Sequence, residues 1–462
     1  MEYLKVCVEN FGKIKQAEVE VAPFVLFVGD NNSGKSYLTS LIWGLQNYDI
    51  RNCLFSTKNM EKSQYYNDIK DCLKNNMLNC EKENVHFEFK EYGAIIQNLI
   101  NDCLQYEKND FIRWLFNTDE VGIDKLTIEI PHIESVIVDF EIIHDRRILE
   151  KMDFDIEVRM TISKNKISRK ISWLVNSLEE VFSEHGINFI ISLLCSHIFR
   201  ITYNRPMSVY LPASRTGFML TKDVINQVGR DNTFNSSVEN NIIPFTRPIN
   251  SFLNVINSLS LDNSNVNNRY NDIIKYIEND MANGVLSISD MPNKEVRYIP
   301  DGSSKKSYPL RVVSGVVTEL SPLLLLLKYN KHMTNIFYEE PEIGLHPQLQ
   351  CSMARVLCRL VNSNINVCVT THSDLIIQHI NNMISLNDSP KQSELLKKYN
   401  YVKKDLIDYE KVRLYQFNTK RSGRVSKTIL EEIECTENGF EIPTFNDALD
   451  RITEEAYNIQ EK

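Results

Sequence analysis

The segment from Phe24 to Leu45 constrains the fold more than any other. Phe24-Val25-Leu26-Phe27-Val28 is an unbroken apolar run, the pattern of a strand buried on both faces. Gly29-Asp30-Asn31-Asn32-Ser33-Gly34-Lys35-Ser36 follows at once and fits Gly-x-x-x-x-Gly-Lys-Ser. Leu38, Leu41, Ile42 and Leu45 then recur at helical spacing. A strand feeding a helix through a glycine-bracketed loop is the arrangement that cradles phosphate. Glycine lets backbone N–H groups curl around an anion, and the helix N-terminus adds its positive dipole. Gly29, Asn31, Asn32, Ser33 and Gly34 are read as the cradle. Lys35 would reach the β- and γ-phosphates, and Ser36 would offer its hydroxyl to Mg²⁺. The expected nucleotide is ATP and the expected fold class is α/β, with a mixed β-sheet core.

Two further apolar runs end in chemistry. Ile336-Phe337-Tyr338 runs into Glu339-Glu340, and Val367-Cys368-Val369 runs into Thr370-Thr371-His372. A carboxylate at a strand end can hold Mg²⁺, and a second can polarise an attacking water. Glu339 is assigned to the metal and Glu340 to the water. By itself such a pair could be a solvated acidic turn; beside a phosphate loop it reads as its partner. His372 should reach the carboxyl edge of the sheet, where ligands bind in open α/β folds. Ser314-Gly315 opens a strongly apolar helix, a second place where helix-start N–H groups could grip phosphate. His346, in Gly344-Leu345-His346-Pro347, reads as well as a turn residue as a functional one.

Around these motifs the chain divides by pattern. Residues 1–50 and 205–220 are expected to form the first core lobe, opening with a hairpin of Leu4 to Val8 and Ala17 to Val21. Residues 51–204 read as an insertion of antiparallel strands plus helices. Its strands are expected at 85–89, 125–130, 136–142 and 154–162, and its helices at 95–104 and 171–182. Residues 221–307 read as a helical lobe with a hairpin, and 308–385 as the core carrying Ser314, Glu339, Glu340 and His372. Residues 386–462 read as a tail with a hairpin near 412–433 and a last helix over 445–457. No sustained heptad repeat supports a long coiled coil.

Composition excludes some functions. The formal net charge is −9, so bulk electrostatics do not point to nucleic acid. The best local basic stretches are Lys164-Asn165-Lys166 through Arg169-Lys170, and Lys420-Arg421 through Arg424; each is more simply a solvated face. No apolar run approaches the ~20 residues that a membrane span requires, and Met1 to Phe11 lacks the apolar stretch of a secretory signal. The scattered cysteines suit a reducing cytoplasm.

Taken in order, the phosphate loop, Ser-Gly before an apolar helix, Glu-Glu-Pro-Glu-x-x-Leu-His-Pro and a strand ending in Thr-His resemble the ABC-type ATPase heads of the RecF, SMC and overcoming-lysogenization-defect group, of AAA_15 type. The resemblance implies that Lys35 and Ser36 stand in the Walker A loop and Glu339 and Glu340 at Walker B. It places Ser314 and Gly315 in the signature motif, Leu345-His346-Pro347 in the D-loop and His372 at the switch histidine. It further implies two ATPs sandwiched between two heads, a homodimer or higher oligomer. There are departures: Glu339 replaces the usual Asp, the signature is short, and Ser214-Arg215 stands near where a Q-loop would be. No Asp-x-Asp follows His372, as a Toprim nuclease would need. The layout therefore resembles stand-alone ATPase subunits of anti-phage systems of PARIS or Septu type. Those imply a separately encoded nuclease or toxin partner, a DNA or phage-protein trigger, and no membrane. A DNA-clamping repair ATPase of RecF type is the alternative.

Overall fold

A computed structural model describes residues 2–78, 84–88, 92–143, 156–164, 167–202, 207–234, 245–261, 267–289, 295–302, 306–422 and 425–440, with a few positions between 453 and 459. Much of the expected helix over 445–457 lies outside the described residues, as does most of the Asn-rich stretch 263–268.

The chain is α/β, as its pattern requires. Its strands are β1 (Lys5–Phe11), β2 (Ile14–Glu20), β3 (Phe24–Gly29), β4 (Asn84–Glu88), β5 (Lys125–Glu129), β6 (Ile137–Ile143), β7 (Ile156–Lys164), β8 (Ile167–Val175) and β9 (Met207–Leu211), followed by β10 (Gly284–Ile288), β11 (Val296–Pro300), β12 (Tyr308–Pro309), β13 (Met333–Glu339), β14 (Asn366–Thr370), β15 (Val412–Ser422) and β16 (Val425–Ile433). Nine of them form one mixed sheet in the order β5-β1-β2-β16-β15-β3-β14-β13-β9. Strand β3 lies between two parallel neighbours, with Leu26 opposite both Val369 of β14 and Leu414 of β15. Phe24, Leu26 and Val28 enter the core on one face, and Val25 and Phe27 enter the core on the other. Burying each such side chain contributes about 1.5–3 kcal/mol, so the strand carries no polar alternation.

β13 pairs in parallel with β14 and with β9. Four parallel strands therefore deliver the ends of 29, 211, 339 and 370 to one edge of the sheet. On the opposite edge of those strands a buried amide network replaces apolar packing: Asn335 Nδ2 donates to Gln46 Oε1 (3.1 Å) and Ser208 Oγ (3.0 Å), and Asn366 Nδ2 donates to Asn335 Oδ1 (2.9 Å). It fixes the register of β13 against β9 and the helix Lys35–Asn47.

Local pattern misjudged some elements. Residues 171–182 are not one helix: β8 runs to Val175 and a short helix covers Leu178–Phe182. Ile171, Trp173 and Val175 recur with a period of two, separated by Ser172 and Leu174, and pairing with β7 rewards that extended pattern. β5 does not join the insertion's sheet, which is β4-β6-β7-β8; it pairs antiparallel with β1 and extends the main sheet. The hairpin β15–β16 does form, and it sits beside β3 in the middle of that sheet. Among the described residues no helix is long and apolar enough to cross a membrane.

Candidate nucleotide-binding site

The loop after β3 is shaped by backbone that only certain residues accept. Gly29 has φ 132°, Asn32 60° and Gly34 107°. A Cβ on Gly29 would lie 2.7 Å from the Phe417 carbonyl oxygen of β15, so glycine is required there by contact as well as by conformation. The helix Lys35–Asn47 follows with Gly34 at its N-cap and no side-chain cap, leaving its first N–H groups directed at the cleft. Lys35 is buried. Its Nζ donates to the carbonyls of Gly29 (2.9 Å) and Asp30 (2.7 Å) and reaches Ser33 Oγ at 3.5 Å. Burial lowers its pKa to about 8, opposed by Glu340 and Asp30.

The acidic strand end faces the same cleft. Glu340 has φ 43°, a conformation that costs a non-glycine residue about 1–3 kcal/mol. Its N–H donates to the Thr370 carbonyl (2.8 Å), which ties the bend to the end of β14. Glu340 Oε1 lies 3.9 Å from His372 Nε2. His372 is pulled down in pKa by burial and by Lys35, so it is a neutral imidazole at pH 7. It is held on both sides: its N–H donates to Glu342 Oε1 (2.6 Å), and the next residue, Ser373, caps the helix Asp374–Asn387 by accepting from Ile376 N–H (3.1 Å).

One cleft is lined by Asn31, Asn32, Ser33, Gly34, Lys35 and Ser36 together with Glu340 and His372. Residues 1–377 match the family model AAA_15, described as an AAA ATPase domain. The chain belongs to this family. No curated protein matches the sequence. Solved structures that it resembles include an SMC head domain from Thermotoga maritima (11% identity, 94% of this chain and all of that one, TM-score 0.33). Another is an Smc head domain with an extended coiled coil bound to the C-terminal domain of ScpA, derived from Pyrococcus furiosus (11% identity, 99% and 100% covered, TM-score 0.33). A third is an SmcHead bound to the C-winged helix domain of ScpA (11%, 93% and 98%, TM-score 0.33). At that TM-score these likenesses carry no weight for fold or function.

In this AAA ATPase domain the other expected residues fall outside the cleft lining, in three places. Glu339 is buried and is not among the residues that line the cleft: its Oε2 accepts from Ala213 N–H (3.1 Å), and burial, with the charge of Glu339, raises the pKa of the Tyr210 phenol. Ser314 and Gly315 are exposed and do not line the cleft. Ser314 is the N-cap of the helix Gly315–Tyr329 and makes no side-chain cap hydrogen bond. His346 is an exposed N-cap of the helix Pro347–Asn362.

Several contributors were not assigned from sequence. Glu342 accepts from Thr371 Oγ1 (2.9 Å) as well as from His372 N–H, and burial raises its pKa. The Glu-Glu-Pro-Glu spacing carried that signal. Gly12 and Lys13 of the first hairpin turn, with Tyr37, Glu120 and Val121, line the far side of the cleft. The 120–124 segment is pinned to that hairpin by Gly12 N–H to the Gly122 carbonyl (3.1 Å) and Asp124 N–H to the Glu9 carbonyl (3.0 Å), contacts no local pattern announces. Arg215 is fully buried beneath Glu339 and Glu340. The basic stretch around residue 164 offers no free cationic face at two of its positions: Lys164 is buried on the Pro131 carbonyl, and Lys170 pairs with Glu141 at 3.6 Å.

Proposed function

We propose that this AAA ATPase domain is an ABC-type subunit that hydrolyses ATP between two copies of itself. We further propose that turnover governs a separately encoded nuclease or toxin in anti-phage defence, triggered by DNA or a phage protein. The observation that carries the reading is the split of the site. Loop, Glu340 and His372 converge on one cleft, whereas the uncapped helix start at Ser314-Gly315 lies outside it and faces solvent. A helix start of that kind binds anions, and a second copy would bring it over the open side of the cleft.

Within one chain the roles follow from position. The loop N–H groups and Lys35 neutralise the β- and γ-phosphates. Lys35 must leave the Gly29 and Asp30 carbonyls to do so, exchanging neutral acceptors for anionic ones. Glu340 accepts the proton of the attacking water. Neutral His372 donates from its ring to the γ-phosphate and, 3.9 Å from Glu340, fixes where that water sits. Val121 and Tyr37 form the wall on which a base can lie. The Ser36 hydroxyl and the carboxylate of Glu339 are hard oxygen donors of the kind Mg²⁺ takes. They would hold Mg²⁺, Glu339 through water, and the ion would supply charge neutralisation at the phosphates. The defence assignment rests on family-level analogy alone.

Glu340→Gln tests the hydrolytic part. Turnover should fall roughly 100-fold or more, while ATP remains bound and holds two chains together in light scattering after size exclusion. A variant that hydrolyses at the parental rate would sink the reading. For the biological part, cells carrying the chain with its neighbouring genes are challenged with phage. Protection that survives Glu340→Gln would remove hydrolysis from the defence role.

A further inference from the structure

A fully buried cation lies outside the cleft lining. Arg215 opens the helix Arg215–Phe234 directly after β9 and Pro212, and its side chain has no solvent exposure. Its guanidinium stacks 4.8 Å from the Tyr338 ring centroid. Nη1 donates to the carbonyls of Glu339 (2.8 Å) and Pro212 (3.2 Å), and Nη2 donates to the carbonyl of Glu340 (3.0 Å). Nε makes an ion pair of 2.8 Å with Glu319 Oε2, close but not aligned as a hydrogen bond.

We infer that Arg215 is a positioning residue that fixes the backbone of Glu340 and links it, through Glu319, to the helix that begins at Ser314-Gly315. The inference rests on the proposed hydrolytic reading and deepens it. Three observations carry it. First, the guanidinium grips the carbonyls of the two successive peptides that flank the Cα of Glu340, the residue held at φ 43°. A backbone in that region persists only where its surroundings over-determine it, and Arg215 is the cationic part of those surroundings. Second, Glu319 lies one turn inside the helix whose start is uncapped and exposed. Its Oε1 accepts from the Thr216 hydroxyl, and its Cγ would be 3.0 Å from a Cβ on Gly344, in the turn that follows the acidic strand. Third, a buried ion pair contributes little net stability compared with well-packed apolar residues, so packing alone gives no reason for a charge here.

The consequence is a path of direct contacts. Phosphate arriving at Ser314 from a second copy would load the first turn of its helix. Displacement of Glu319 moves Arg215, and Arg215 moves the peptide of Glu340. Nucleotide grip by the loop does not pass through this path, so binding and turnover should separate.

The test measures ADP affinity and ATP turnover of the full chain for Arg215→Lys, Glu319→Gln and the double variant. Lysine keeps the charge and loses the fork; glutamine keeps the shape and loses the charge. The expected result is ADP affinity within about twofold of the parent and kcat lowered about tenfold or more. The double variant should be no slower than the worse single one, as for residues acting in series. If Arg215→Lys does not fold, Glu319→Gln decides alone. Parental turnover in folded variants, a parallel loss of ADP affinity and kcat, or additive losses in the double variant would each overturn the link. Glu340→Gln is the control for the underlying reading: if it turns over normally, that reading fails and the inference fails with it.

Discussion

The helix starts at Gly34-Lys35 and at Ser314-Gly315 differ in what surrounds them. At Gly34-Lys35 the backbone is bent by two left-handed glycines, Lys35 is buried on its own loop, and a carboxylate and an imidazole face it across the cleft. At Ser314-Gly315 the helix start is exposed, uncapped and away from the cleft. The Gly315 position has nothing within 4 Å of where a Cβ would be, so no close contact with the described residues demands glycine there. On the proposed reading, the contrast teaches that one half of the nucleotide site is built within the chain, and that the other half finds no partner for phosphate among the described residues of the same chain.

The largest expected effect breaks the complete half. Lys35→Ala removes the one cation in the loop, and nucleotide affinity should weaken roughly 100-fold, the scale of a charge-assisted hydrogen bond to phosphate. Equilibrium binding of a fluorescent ADP analogue reads it. Retained affinity would mean that the folded-back position of Lys35 is structural and not a resting state.

How much of this was legible in the sequence depends on range. β3, its loop and its helix are contiguous, so their pattern and their chemistry sit in one window. The strand ends at Glu339 and His372 were legible because unbroken apolar runs mark strands buried on both faces. Arg215 was not, since a buried arginine looks like any helix-start arginine until its carbonyl partners, Glu339 and Glu340, are in place. Nor was the placement of Val412–Ser422 beside Phe24–Gly29. Its hairpin was visible locally, but pairing across such a separation depends on which sheet edge the rest of the fold leaves open. Glu342 was in view within Glu-Glu-Pro-Glu, yet only the hydrogen bonds from Thr371 and His372 give it a role.

The incomplete half is sharpened by mixing. Ser314→Arg places a bulky side chain at the exposed helix start without touching the cleft. Alone it should bind ADP as the parent does and lose turnover roughly 50-fold, the scale of removing a transition-state donor. Mixed with Lys35→Ala, which lacks the other half, it should recover activity, because one of the two shared sites in a mixed pair is intact. No recovery in a mixture that demonstrably pairs would show that Ser314 does not serve a neighbour's nucleotide.

The smallest effect concerns protonation of the loop itself. Burial lowers the Lys35 pKa to about 8 in the free chain, and bound phosphate favours the charged form and raises it. Binding is therefore coupled to proton uptake at pH values above the free-chain pKa and below the bound one. Below pH 8 the lysine is already charged and affinity should be flat with respect to this group. Between pH 7 and pH 9 affinity should fall by about tenfold, since one proton must be supplied from solution for each nucleotide bound. His372, already neutral at pH 7, adds no compensating change over that window. Nucleotide titrations at pH 7, 8 and 9 in two buffers of different ionisation enthalpy give both the affinity and the proton count. Proton release on binding, or affinity that rises with pH, would mean that the bound polyphosphate does not meet Lys35 at all.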